Sequence, residues 1–301
     1  SFNFFMIGIV LTSGVVVARN YGVALNHLQV LGTHNSYRIR PDAQYMKALA
    51  RFDEELANSL DYTHVPFEEQ WITYGVRHIE LDVFADPQGG LYKKRRGLSV
   101  IGRDPNSGLK ELDTPGYKVL HVQDIDFLSH CLTLVSCLQK IKKWSIKHPD
   151  HIPLAVQIEF KDELISDPLE LGFTIPYRSD ARVLQDLDNE IISVLPKSML
   201  ITPDWVRGNG STLESKILND GWPLLKDCRG KIFFHLGNKG RVRDLYIKGH
   251  ASLRKRVMFT NSLPGTAEAA ILLRENPTAA NLEDIQDLVR KGYLVRIRAD
   301  S

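Results

Sequence analysis

Two short runs place acidic side chains where they can act together. In Val76-Arg77-His78-Ile79-Glu80-Leu81-Asp82-Val83-Phe84, the apolar Ile79, Leu81 and Val83 alternate with His78, Glu80 and Asp82. Side chains alternate faces along a strand, so one face of this run is buried beneath helices and the other aims Glu80 and Asp82 the same way. The run Pro153-Leu154-Ala155-Val156-Gln157-Ile158-Glu159-Phe160-Lys161 repeats the pattern, with Gln157, Glu159 and Lys161 on one face. Carboxylates gathered at one place repel unless a cation or a proton intervenes. A third run, Lys118–Gln123, sets His121 and Gln123 opposite Leu120 and Val122. An earlier one ends in Gly32-Thr33-His34-Asn35-Ser36-Tyr37.

The amide oxygen of Asn35 with Glu80, Asp82 and Glu159 makes an all-oxygen donor set. Such hard donors suit calcium or magnesium rather than zinc, and flexible carboxylate coordination favours calcium over magnesium. His34 and His121 add groups able to move protons. A single histidine is more often a satisfied core or loop residue. His34 gains its meaning from His121 and the carboxylates expected beside it.

The elements that must position these residues are short β-rich runs alternating with helical ones. The runs are Leu28–Ser36, Val76–Phe84, Lys118–Gln123, Pro153–Lys161, Lys231–Leu236, Val257–Asn261 and Tyr293–Ala299. Helical candidates are Ala43–Asn58, Cys131–His148, Asp180–Leu195, Thr212–Gly221 and Leu282–Lys291. In the last, Leu282, Ile285, Leu288 and Val289 share one face, and Gly292 supplies the stop. Strand–helix alternation predicts a parallel sheet. Seven strands over this length predict an α/β fold of the TIM type, a (β/α) barrel lacking its last strand in this chain. The alternative is an open doubly wound sheet. Polar residues near strand ends on one side of such a fold are where barrel enzymes build their sites.

The chain has 301 residues, 43% hydrophobic and 25% charged, with a formal charge of +2. That is ordinary globular composition, and the charge is too mild to argue for nucleic acid as a partner. Residues 1–18 are apolar and small beyond Phe4, with Val16 and Ala18 spaced as before a signal-peptidase cut. They read as a signal peptide too short to span a bilayer, with residues 19–301 as the barrel domain of a secreted, extracellular monomer. Secretion by a eukaryote would make Asn209-Gly210-Ser211 a glycosylation sequon. Cys131 and Cys137 fall on one predicted helix, too far apart along it to bridge easily, and with Cys228 they read as small buried residues.

The segment Leu28–Tyr37 resembles the opening motif of the catalytic region of phosphoinositide-specific phospholipases C. Gly75–Asp82 resembles the second motif of that family, and His121 and Gln157-Ile158-Glu159 its third and fourth. Gly221-Trp222-Pro223 through Arg229-Gly230-Lys231, and Val295–Asp300, resemble the extracellular calcium-dependent branch. The resemblance runs from about residue 25 to 300, and the order of the motifs is more specific than any one of them. It implies catalytic roles for His34 and His121, calcium ligation by Asn35, Glu80, Asp82 and Glu159, and phosphate contact by Lys161. Arg296 and Arg298, on one face with Asp300, are implied more weakly as substrate-binding residues, with structural ion pairing as the other reading. The chain departs from the branch at Ile297, where Thr is more usual, and in the missing strand. The implied reaction cleaves an inositol phospholipid at a membrane surface by attack of the 2-hydroxyl on phosphorus. His121 would steady the phosphorane and the other histidine protonate the leaving oxygen. Competing readings are a glycerophosphodiester phosphodiesterase, whose first strand usually carries His-Arg-Gly rather than His34-Asn35-Ser36, a sphingomyelinase D-like barrel, and an inactive lipid-binding barrel.

Overall fold

The computed structural model describes residues 2–6 and 22–298. Its sheet contains β1 (Phe2–Met6), β2 (Val30–Thr33), β3 (His78–Phe84), β4 (Lys118–Val119), β5 (Leu154–Phe160), β6 (Ile232–Leu236), β7 (Phe259–Thr260), β8 (Ile271–Glu275) and β9 (Leu294–Arg298). The strand order is β7-β6-β5-β3-β2-β1-β9-β8. A parallel bridge between Asn261 and Ile271 brings the two ends of that path together.

The pairs β2–β3, β3–β5, β5–β6, β6–β7 and β8–β9 are parallel. β1 runs antiparallel to both β2 and β9. It occupies the seam where a regular barrel would carry its last parallel strand. Of the expected leader, residues 2–6 form this strand, and residues 7–18 lie outside the described residues.

Two strand assignments differ from expectation. Ile271–Glu275 is a ring strand that the sequence reading passed over. Lys118–Gln123 is not one: its two-residue strand β4 pairs antiparallel with β3, off the main path. The chain then turns, with His121 and Val122 amides donating to the Asp126 carbonyl.

Helices cover the sheet because their apolar stripes meet its outer face. All of β3 is buried. Leu138, Ile141, Leu184, Leu187 and Ile191 pack in one core with Ile79, Leu81, Val156 and Ile158. The long helices start at side-chain caps: Thr133 accepts from the Ser136 amide before Leu134–Lys147, and Asp180 accepts from Val183 before Ala181–Val194. The predicted helix Ala43–Asn58 is two helices, Ala43–Phe52 and Glu54–Ser59, broken at the extended Asp53, which caps the second. Leu282–Lys291 matches its expected bounds and ends at Gly292 in a left-handed conformation, though Leu282 stays exposed.

The cysteine reading is corrected. Cys131 precedes the cap residue Thr133, so it lies in the turn before the helix rather than on it. The turn folds back and brings its Cα to 5.2 Å from that of Cys137, and the two form a disulfide. Cys228 is free and buried.

Candidate active site

The turn after β2 is anchored to β3 through small polar side chains. Ser36 Oγ accepts from the Glu80 amide at 2.8 Å, and the Ser36 amide donates to the Glu80 carbonyl at 3.1 Å. Gln70 ties the same turn together by donating to the Ser36 carbonyl. Between these anchors Asn35 takes a left-handed φ of 48°, a conformation that asparagine tolerates better than most residues. Asn35 Nδ2 donates to Tyr62 Oη at 3.0 Å. Its Oδ1 is buried with no hydrogen-bond partner among the described residues.

Strand register delivers the carboxylates. Glu80 stands opposite Gln157 and Asp82 opposite Glu159 on the neighbouring strand. His34, Asn35, Glu80, Asp82, Glu159 and Arg296 line one polar cavity of about 360 Å³, whose wall also includes His121, Lys161 and Arg298. All nine residues singled out in the sequence therefore meet at one place. Asp300, which shares a face with the two arginines in sequence, lies outside the described residues.

Burial sets the electrostatics. It lifts the carboxyls of Glu80 and Asp82 above their usual range, against the opposing pull of Arg296 on the first and Lys161 on the second. Glu159 is pushed up to about 8, by burial first and then by the charges of Glu80 and Asp82. Burial, with the charge of Arg298 next, lowers His34 to about 3, so its ring is neutral. Its Nε2 lies 3.4 Å from Glu80 Oε1. Burial works against the charge of Lys161, yet Asp82 and Glu159 outweigh it and hold the ammonium above its ordinary value.

His121 reaches the cavity from the turn after β4 rather than from a ring strand. Its Nδ1 is 2.8 Å from Asp126 Oδ2. Asp126 is fully buried and also pairs with the fully buried Arg38, whose guanidinium donates to the Leu60 carbonyl at 2.6 Å as well. A carboxylate on Nδ1 fixes the ring so that Nε2 is left for chemistry. Gln123, expected beside His121, donates instead to the Glu163 carbonyl at 3.0 Å.

The cations are engaged by the acids. Lys161 Nζ lies 3.4 Å from Asp82 Oδ2, and Arg296 donates to Glu80 Oε2 at 3.1 Å. Among the described residues no three His, Cys, Asp or Glu side chains converge as a ready metal cage. The donors nevertheless fit a hard cation. Asn35 Oδ1 and Asp82 Oδ1 are buried without partners among the described residues, beside a third carboxylate that is itself short of counter-charge.

Sequence reasoning missed Asp126, Arg38 and Gly237. A Cβ at Gly237 would stand 2.4 Å from Glu159 Oε2 and 2.6 Å from Gln157 Nε2, so only glycine leaves room for this arrangement. The signal for Asp126 was its position five residues after His121 in a turn-rich stretch, which has no strand or helix periodicity to betray it.

The family model for calcium-dependent phosphoinositide phospholipases C matches residues 23–301. No curated protein matches the chain. Similar solved structures include the following two. One is a calcium-dependent phosphoinositol-specific phospholipase C from a Gram-negative Pseudomonas species, in its apo form. It is 17% identical, with 77% of this chain and 76% of that one covered at a TM-score of 0.52. The other is a Ca2+-dependent phosphatidylinositol-specific phospholipase C from Streptomyces antibioticus. It is 18% identical, with 88% of this chain and 79% of that one covered at a TM-score of 0.52. At that identity the likeness is one of fold.

Proposed function

The chain belongs to the calcium-dependent phosphoinositide phospholipase C family of phosphodiester hydrolases, and we propose on that premise that it cleaves an inositol phospholipid to diacylglycerol and a cyclic inositol phosphate. The observation that carries this reading is the cavity in which two histidines face three carboxylates, with two buried acceptor oxygens left unpartnered among the described residues.

Asn35, Glu80, Asp82 and Glu159 would hold Ca2+, with Mg2+ the poorer fit. Bound there, calcium supplies acidity to the attacking hydroxyl and neutralises charge on a phosphate oxygen. The inositol 2-hydroxyl gives its proton to a carboxylate of the cluster, Glu80 or Glu159, as its oxygen bonds to phosphorus. Nucleophile and phosphorus belong to one molecule, so the step loses little translational entropy. Lys161 binds the phosphate, and Arg296 and Arg298 steady Glu80 and the anionic head group. His34, with its Nε2 3.4 Å from Glu80 Oε1, serves as a hydrogen-bonding group toward the phosphate. His121, held by Asp126, delivers the proton to the glycerol oxygen as its bond to phosphorus breaks. This reverses the histidine roles expected from sequence.

We further assign the protein to an extracellular compartment, acting as a monomer on membrane phospholipid. The disulfide supports that assignment, since such bonds persist where the medium is oxidising. The test is turnover of phosphatidylinositol vesicles with calcium present and then chelated. Calcium-dependent release of diacylglycerol and a cyclic phosphate is expected, and His121→Ala should abolish release while calcium binding persists. Cleavage of glycerophosphocholine or sphingomyelin without phosphatidylinositol turnover would overturn the assignment, as would phosphoinositide binding with no turnover.

A further inference from the structure

The ladder between β5 and β6 stops at the carboxylate cavity, whose wall includes Gly237 and Asn238. The Gly237 amide still donates to the Ile158 carbonyl at 2.8 Å. Regular parallel pairing would next send the Phe160 amide to the Gly237 carbonyl. Instead Asn261 Nδ2 donates to that carbonyl at 3.3 Å, and Asn261 Oδ1 accepts from the Leu273 amide of β8 at 3.2 Å. Beyond Gly237 the main chain leaves the sheet to begin the helix Gly240–Ile247.

The side chain of Asn238 replaces the lost pairing. Its Oδ1 accepts from the Phe160 amide at 2.7 Å, and its Nδ2 donates to the Phe160 carbonyl at 3.0 Å. On the other edge of β5 the Lys161 amide donates to the Val83 carbonyl at 2.9 Å. The end of the strand is thus gripped from both sides, on one of them by a single carboxamide. The two groups that Asn238 holds belong to different peptide units. The amide is part of the unit joining Glu159 to Phe160, and the carbonyl is part of the unit joining Phe160 to Lys161. The Phe160 side chain is buried in the hydrophobic core. Strand alternation therefore sends Glu159 and Lys161 to the opposite face, where both line the carboxylate cavity.

We propose that Asn238 is a positioning residue that fixes Glu159 and Lys161 together, so that cation ligation and phosphate contact depend on one side chain. The assignment rests on the roles given to those two residues above. The clamp has to be a carboxamide, because Phe160 presents a donor and an acceptor to it and each needs its complement. Aspartate has the same shape but only acceptors when ionised, so one of its oxygens would face the Phe160 carbonyl unpaired.

Asn238→Ala and Asn238→Asp test this, with near-ultraviolet circular dichroism reporting the fold. In both, calcium affinity measured calorimetrically should fall by about tenfold or more, and kcat/KM on phosphatidylinositol by about 10–100-fold. In the calcium-free proteins, hydrogen exchange at the Phe160 amide should quicken by about fivefold or more. The aspartate variant separates positioning from ligation, because a carboxylate added at a calcium ligand would keep or raise affinity. Calcium affinity kept in Asn238→Asp and lost in Asn238→Ala would make Asn238 itself a ligand and overturn the proposal. So would quicker exchange at Phe160 with calcium binding and turnover unchanged, which would leave the clamp a matter of local stability alone. The wild type tests the underlying reading separately: a protein that binds no calcium and turns over no lipid would remove the roles of Glu159 and Lys161, and the assignment with them.

Discussion

Asp126 accepts from Nδ1 of His121 across 2.8 Å, inside a turn where the two residues are only five apart in sequence. The carboxylate is fixed in turn by the buried guanidinium of Arg38. The ring that lines the cavity is therefore positioned by a fully buried ion pair.

Asp126→Asn should lower kcat/KM by about 10–100-fold, the usual cost of losing a residue that orients a catalytic ring. Calcium affinity should hardly change, because Asp126 is not among the cation donors. Nitrogen chemical shifts of the His121 ring should report an altered tautomer. A variant with lowered activity and an unchanged ring spectrum would make Asp126 a fold-stabilising residue only.

Gly237→Ala places a methyl group where Glu159 and Gln157 now stand. We expect calcium affinity, measured calorimetrically, to fall by about tenfold or more, with melting temperature less affected than binding. Unaltered calcium binding would show that Glu159 is not a ligand.

The raised Glu159 carboxyl predicts a pH dependence with a definite sign. Its folded value of about 8 lies above the ordinary glutamate value of 4.5, so the calcium-free protein gains stability from the protonated form. That gain is fully present below about pH 4.5 and fades as pH rises through about 8. Calcium binds the deprotonated carboxylate, so its affinity should rise over the same window, with proton release on binding below about pH 8. Calorimetry at neutral pH in buffers of different ionisation enthalpy measures that release. Glu159→Gln should abolish it and flatten the stability profile of the calcium-free protein.

Removing the Cys131–Cys137 disulfide, as Cys131→Ser/Cys137→Ser, frees a short loop at the start of the helix Leu134–Lys147. The chain-entropy estimate for so small a loop is about 2 kcal/mol of stability. Denaturant midpoints of the oxidised protein and the double variant measure it. Turnover under folding conditions should be retained, because neither sulfur borders the site.

How much of this was legible depended on periodicity. Glu80, Asp82 and Glu159 could be placed from strand alternation alone, because one face of each strand is continuously apolar. His121 was the right residue on the wrong element: Leu120-His121-Val122-Gln123 alternates like a strand, but hydrogen bonds to Asp126 turn it back after two residues of pairing. β8 was hidden because Ala269–Leu273 is an unbroken apolar run, which alternation cannot distinguish from a buried helix. Asp126, Arg38 and Gly237 act through tertiary contacts that leave no local pattern. Cys131 was misjudged because the helix start was set three residues early, and Thr133 is the cap.

Glu80 receives its hydrogen bond from Arg296, 216 residues further along the chain. The acids come from early strands, whereas this counter-charge comes from the last. A ribosome therefore makes most of the molecule before the cavity can be completed, and partly synthesised chains carry the carboxylates without the cation that steadies them. A nascent or truncated product lacking β9 has the carboxylates of the cavity and not the guanidinium of Arg296 that completes it.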